Sequence, residues 1–177
     1  MPELQKPPGV LCKNCKPGAG CTIYDKRPQL CREWYCGWRL LPFGEEWRPD
    51  RCQILVMMLT ETMLKGLKYA VQINLIGSHD RISWQPLVSQ IATFISNNVP
   101  VFLAVPGKAG HVFAQTYLNT FQPLREAIAI ANFEMTVSAL AQALQSCIDH
   151  PKPKYEFLPH VPTGALEPHP RGAAAAV

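Results

Sequence analysis

Charge is scarce in this sequence. Asp, Glu, Lys and Arg make up 17% of 177 residues, against about 25% in ordinary globular chains. The formal net charge of +4 is too mild for a dedicated nucleic-acid binder, whose affinity rests on neutralised phosphates. Long apolar runs are missing as well. A membrane-spanning helix needs about 18 or more consecutive apolar residues, and the longest run here is cut by Glu61 and Lys65. The N-terminus, Met-Pro-Glu-Leu-Gln-Lys-Pro-Pro, has no apolar stretch of the kind a secretory signal requires. No internal repeat is visible. These absences predict a cytoplasmic protein with no membrane partner and with nucleic acid disfavoured as a partner. They leave an unidentified protein partner open.

Catalytic signatures are also missing. No G-x-S-x-G or H-E-x-x-H motif occurs. Of the five histidines, His150, His160 and His169 lie at or in the C-terminal tail. His79-Asp80 resembles a base with an orienting carboxylate, but neighbours in an extended loop seldom aim at one another. His111, at a strand start, reads as an exposed or hydrogen-bonded residue. Pro106-Gly107-Lys108-Ala109-Gly110 is not a phosphate loop, because its lysine sits between two glycines and a strand follows where a helix is required. It predicts a hairpin turn. Glu45 and Glu46 read as a solvated surface pair. The expectation is a protein without a catalytic constellation.

What the chain does have is cysteine in one place. Five of its seven cysteines, Cys12, Cys15, Cys21, Cys31 and Cys36, fall within 25 positions among turn formers and basic side chains. A C-x-x-C pair lets two thiolates meet one cation from a tight turn, and later cysteines complete a tetrahedron. Cys12 and Cys15 form that knuckle. Lys13, Lys16, Arg27 and Arg32 flank the cysteines and favour thiolate over thiol. Gly18 and Gly20 allow a sharp turn before Cys21. A disulfide framework requires an oxidising compartment and fits an odd number of cysteines poorly. The expectation is a zinc or iron site, with an Fe–S cluster as the redox alternative and a zinc-knuckle nucleic-acid module as the other. Cys52 and Cys147 lie in apolar runs and read as buried core thiols.

The run Cys21-Thr-Ile-Tyr24-Asp-Lys-Arg27-Pro28-Gln-Leu-Cys31-Arg32, followed by Trp34 and Cys36, resembles the C-x-I-Y-x-x-R-P-x-x-C-R signature of the zinc- or iron-chelating CxxCxxCC domain family. Members of that bacterial family are often labelled as containing an Fe–S cluster. The resemblance covers about the first fifty residues and implies metal chelation, without lending an activity. The family opens with C-x-x-C-x-x-C-C, whereas Cys12-x-x-Cys15 is followed here by a single Cys21, which favours a one-metal site. Cys12, Cys15, Cys21 and Cys31 are the preferred ligands and Cys36 the alternative fifth. Arg27 is assigned to holding the loop through carbonyls, and Tyr24 to packing.

Apolar residues reach 47%, enough for a sizeable core. The reading along the chain is α/β (α+β), in three parts: a Cys-rich metal-binding module over 1–51, an α/β domain over 52–150, and a Pro-rich flexible tail over 151–177 in which 155–157 docks briefly. Within the module, 29–38 predicts a short helix. Trp34, Tyr35, Trp38, Phe43 and Trp47 are expected to pack a small core, and 42–51 to form a hinge loop. Strands are expected at 53–59, 69–76, 101–105 and 112–118. A helix capped by Ser83 carries Trp84, Leu87, Val88, Ile91 and Ile95 on one face and ends at Asn97-Asn98. Residues 121–149 predict two helical segments, the first ambiguous because Ala-Ile-Ala-Ile also alternates like a strand. The order is β-β-α-β-β-α-α, a mixed sheet with helices packed on it.

Overall fold

A computed structural model describes residues 6, 8, 10, 12–16, 20–60, 66, 68–150 and 153. Apart from Pro153, the tail expected over 151–177 lies outside the described residues, with His160, His169 and the 155–157 segment. So does most of the 61–67 connector.

The order expected after residue 52 is the one observed. Strands β3 (Ile54–Thr60), β4 (Tyr69–Leu75), β5 (Val101–Val105) and β6 (Ala114–Tyr117) form one sheet in the order β3-β4-β5-β6. The outer pairs are antiparallel, and β4 and β5 run parallel. A parallel pair needs a crossover, which α4 (Gln85–Ser96) supplies. Alternation decides which face is the core. Ile54 and Val56 stand opposite Leu75 and Ile73, and Val71 and Ile73 opposite Val101 and Leu103. All belong to the main apolar cluster. On the other face Asn74 is fully buried. Its amide donates to the Leu55 carbonyl at 2.9 Å and accepts from Gln72 at 2.7 Å, so the burial leaves no unpaired group.

Helices cover the core face. Leu87, Val88 and Ile91 are the buried stripe of α4. Its cap differs from expectation: Ser83 belongs to a 3-10 turn over His79–Ser83, where its hydroxyl donates to the Asp80 carbonyl at 2.8 Å, and Trp84 takes the cap position. Pro86 in the first turn explains the shift, because its fixed φ suits the start of a helix and needs no donor. The ambiguous segment folds as α5 (Gln122–Ala129), burying Leu124 and Ala127 three residues apart. The last helix, α6 (Phe133–Asp149), buries Thr136, Ala139, Leu140, Ala143, Leu144 and Cys147. Its first turn is capped by the Asn132 side chain, which accepts from Met135 N–H at 2.9 Å.

The N-terminal residues add a two-stranded ribbon, β1 (Cys15–Lys16) and β2 (Gly20–Cys21), and three short helices, α1 (Gln29–Glu33), α2 (Gly37–Leu40) and α3 (Pro49–Cys52). The single helix expected over 29–38 is two pieces, because Cys36 is extended at φ −74°, ψ 159°. The expected hinge loop contains a 3-10 turn, Glu45–Trp47, and the start of α3. Trp47 enters the main core, with Trp38, Leu41 and Phe43 packed against it. Phe43 stacks on Trp47 at 4.4 Å between ring centroids, and Trp47 meets Trp84 at 5.0 Å. Buried indoles account for this: each removes a large apolar area from water. Among the described residues no helix is long and apolar enough to cross a membrane.

Candidate metal centre

A backbone turn joins Cys12 and Cys15. Cys15 N–H donates to the Cys12 carbonyl at 2.9 Å, closing a turn that puts both residues at the same end of the ribbon. The chain then reverses so that Cys15 faces Cys21 across β1 and β2. Cys31 lies on α1 and Cys36 caps α2. All five are free thiols, and all five line one open cavity of about 570 Å³. The rest of its wall is basic, aromatic or amide: Lys6, Asn14, Tyr24, Arg27, Arg32, Trp34, Tyr35 and Arg39. Among the described residues no carboxylate or imidazole lines it.

Sharing a cavity is not the same as converging. Among the described residues no group of three or more Cys, His, Asp or Glu side chains is arranged to hold a metal ion. The donor chemistry fits a thiophilic cation such as zinc or iron, and excludes a preference for calcium or magnesium, which take oxygen ligands.

Two arginines organise the loop between Cys21 and Cys31. Arg27 donates through Nη1 to the Tyr24 carbonyl at 3.2 Å, in keeping with its expected role. Its guanidinium also lies 3.7 Å from the centre of the Tyr24 ring, and its Nε is buried without a hydrogen-bond partner among the described residues. Arg32 does more. Its Nε donates to the Arg27 carbonyl and its Nη2 to the Asp25 carbonyl, both at 2.9 Å. In sequence Arg32 reads only as a flanking charge. The signal for its role is position: one turn into α1, a five-donor fork reaches the carbonyls of the preceding loop.

The aromatic residues divide. Trp38, Phe43 and Trp47 pack as expected, but on the main core and not on a core of the module's own. Trp34 and Tyr35 are 47% and 49% exposed and Tyr24 62%, so these three do not form a module core. Tyr24 packs under Arg27 instead.

Among the described residues the remaining titratable groups make no second site. Asp80 accepts from the Ser78 hydroxyl at 2.9 Å, so its carboxylate serves a turn. His111 Nδ1 lies 3.2 Å from the Lys108 carbonyl, and His150 Nδ1 lies 3.0 Å from the Ser146 carbonyl. Glu45 is exposed and sits 3.5 Å from Arg48. Cys52 is buried, its thiol directed at the Trp47 carbonyl at 3.4 Å. Burial pushes that thiol's pKa up. Cys147 is buried 3.1 Å from the Thr116 hydroxyl.

Compared with protein-family models, curated proteins and solved structures, the chain matches none.

Proposed function

We propose that this chain is a thiolate metal-binding protein that takes zinc or iron in its N-terminal module, residues 1–51, and serves an interaction or metal-handling role. The observation that carries the reading is the cavity wall: five thiols and, among the described residues, no carboxylate or imidazole. Cys12, Cys15, Cys21 and Cys31 are the proposed ligands, with Cys36 as the fifth thiol available to the same ion. The resemblance of residues 21–32 to the CxxCxxCC domain family points to the same chemistry. Thiolate ligation would give the ion a soft, closed environment suited to a structural or regulatory site. Arg27 and Arg32 hold the loop between Cys21 and Cys31, and the cavity's guanidinium groups offset thiolate charge. Since among the described residues no three donors are arranged around one ion, loading would draw them together, coupling metal binding to local folding.

Metal content by mass spectrometry, with an absorbance spectrum, on anaerobically purified protein tests this. One zinc per chain without colour supports the thiolate site. Iron with sulfide and a visible band turns the reading to the redox alternative, an Fe–S protein. No bound metal and five titratable thiols in the module reject it.

A second reading has its own observation. Residues 12–39 hold six lysines and arginines against two acids, which equals the +4 of the whole chain. Trp34 and Tyr35 are about half exposed there, with the Arg39 guanidinium 5.6 Å from the Tyr35 ring. Exposed rings beside guanidinium groups suit stacking on single-stranded bases. Titration with a single-stranded oligonucleotide across salt tests this: a steep loss of affinity supports it, and no binding ends it.

A further inference from the structure

Cys15 and Cys21 are partners across the β1–β2 ribbon, and the ladder around them fixes what kind of pair they form. Thr22 N–H, one residue beyond Cys21, donates to the carbonyl of Asn14, one residue before Cys15, at 2.8 Å. A bond in that position brackets a non-hydrogen-bonded pair. Such residues approach most closely, with Cα atoms about 4.5 Å apart and side chains on the same side of the ribbon. Both thiols open on the same cavity. Cys21 is exposed and Cys15 half-buried, so an oxidant can reach the pair. A disulfide spans Cα separations of about 4.4–6.8 Å, so the ribbon already meets that requirement. Cys12, Cys31 and Cys36 lie in a turn, on α1 and ahead of α2, and no ladder sets any two of them opposite each other.

We infer that Cys15 and Cys21 form a thiol–disulfide site, closed by peroxides and reopened by dithiols. The Cys21 thiolate attacks one oxygen of hydrogen peroxide. The O–O bond breaks, and the departing hydroxide takes the proton released by the Cys21 thiol and leaves as water, giving a sulfenic acid. The Cys15 sulfur then attacks the Cys21 sulfur. The S–O bond breaks, the hydroxyl leaves as water with the Cys15 proton, and the S–S bond forms. The two sulfurs lose two electrons to one peroxide. Exposed disulfides of this kind are the reducible ones. The consequence for metal rests on the function proposed above: oxidation consumes two of the four preferred ligands, so disulfide and bound metal exclude each other.

The test uses the full chain, stripped with a chelator, reduced, and treated with stoichiometric hydrogen peroxide before alkylation and trypsin digestion. Lys16 precedes Pro17 and resists trypsin, so residues 14–26 form one peptide holding only Cys15 and Cys21. That peptide is expected to lose two hydrogens and take up no alkyl group, while the peptides carrying Cys12, Cys31 and Cys36 remain alkylated. Dithiothreitol should restore both alkylation sites. Full alkylation of 14–26 after peroxide, or a cross-link from Cys15 or Cys21 to another cysteine as the main product, overturns the inference. A parallel sample preloaded with zinc separates the two proposals. Zinc uptake without closure of the pair in the stripped chain leaves the metal proposal standing and removes this one. Closure without any zinc uptake does the reverse. Equal oxidation with and without bound zinc removes Cys15 and Cys21 from the ligand set and ends the exclusion.

Discussion

Gly37 on α2 lies directly against Val56 on β3: a methyl group at Gly37 would stand 2.6 Å from Val56 Cγ1 and 3.2 Å from the Val56 carbonyl. This is the closest approach of the N-terminal helices to the sheet that the glycines reveal. It leaves room for a hydrogen only. Gly37→Ala should therefore destabilise the fold by about 1–3 kcal/mol, the usual cost of overpacking. Chemical denaturation reads the change. Val56→Ala in the same chain should recover part of the loss, because the two sites share one contact. Strict additivity of the two substitutions would show that the contact is not the cause.

Trp47 and Trp34 make a paired test of which aromatics hold the fold. Trp47 is 5% exposed and packs between Phe43 and Trp84, whereas Trp34 is 47% exposed. Trp47→Ala should cost about 3–5 kcal/mol. Trp34→Ala should stay within about 0.5 kcal/mol. Comparable losses at the two positions would contradict the packing described here.

Cys52 gives the fold an alkaline limit. Burial raises its pKa above the ordinary thiol value of 9.0, so the folded chain holds this proton more tightly than the unfolded chain. Its contribution is fully present below the unfolded value and is lost as pH rises through the folded one. Stability should fall above pH 9.0, and Cys52→Ala should flatten that part of the slope while lowering stability at neutral pH. The native thiol should also react far more slowly with a disulfide reagent than exposed Cys21 does. An unchanged alkaline slope in the variant would assign the effect elsewhere.

Arg32 donates to two loop carbonyls, those of Arg27 and Asp25, so its work is to hold the segment between Cys21 and Cys31. If that segment carries ligands, Arg32→Ala should weaken zinc binding by about 10–100-fold, the usual effect of losing an outer-shell contact. Global stability should change little, because the side chain is exposed. Competition with a chromophoric chelator measures the affinity. A variant that binds zinc as tightly as the parent would detach Arg32 from the site.

The sheet and its helices were legible in the sequence because their signals are local and repeated. Alternation over Ile54, Val56 and over Val71, Ile73, Leu75 reports one buried face of a strand. The 3-4 spacing of Ala139, Leu140, Ala143, Leu144 and Cys147 reports one buried face of a helix. Those periods survive any tertiary arrangement that buries the face. The clustering of five cysteines within 25 positions likewise foreshadows the one wall that they share. Three things were decided only by the tertiary structure. Trp47 reads as part of a small module core, and only the proximity of Trp84 and the sheet puts it in the main one. Arg32 reads as a charge beside a cysteine until the loop carbonyls come within reach of its fork. Cys21 becomes the partner of Cys15 because a two-residue ribbon sets them opposite each other, a relationship that depends on register and that composition does not encode. Periodicity fixes which side of an element is apolar, whereas contacts between different elements depend on how the chain folds back, and a single sequence carries no local signal for that.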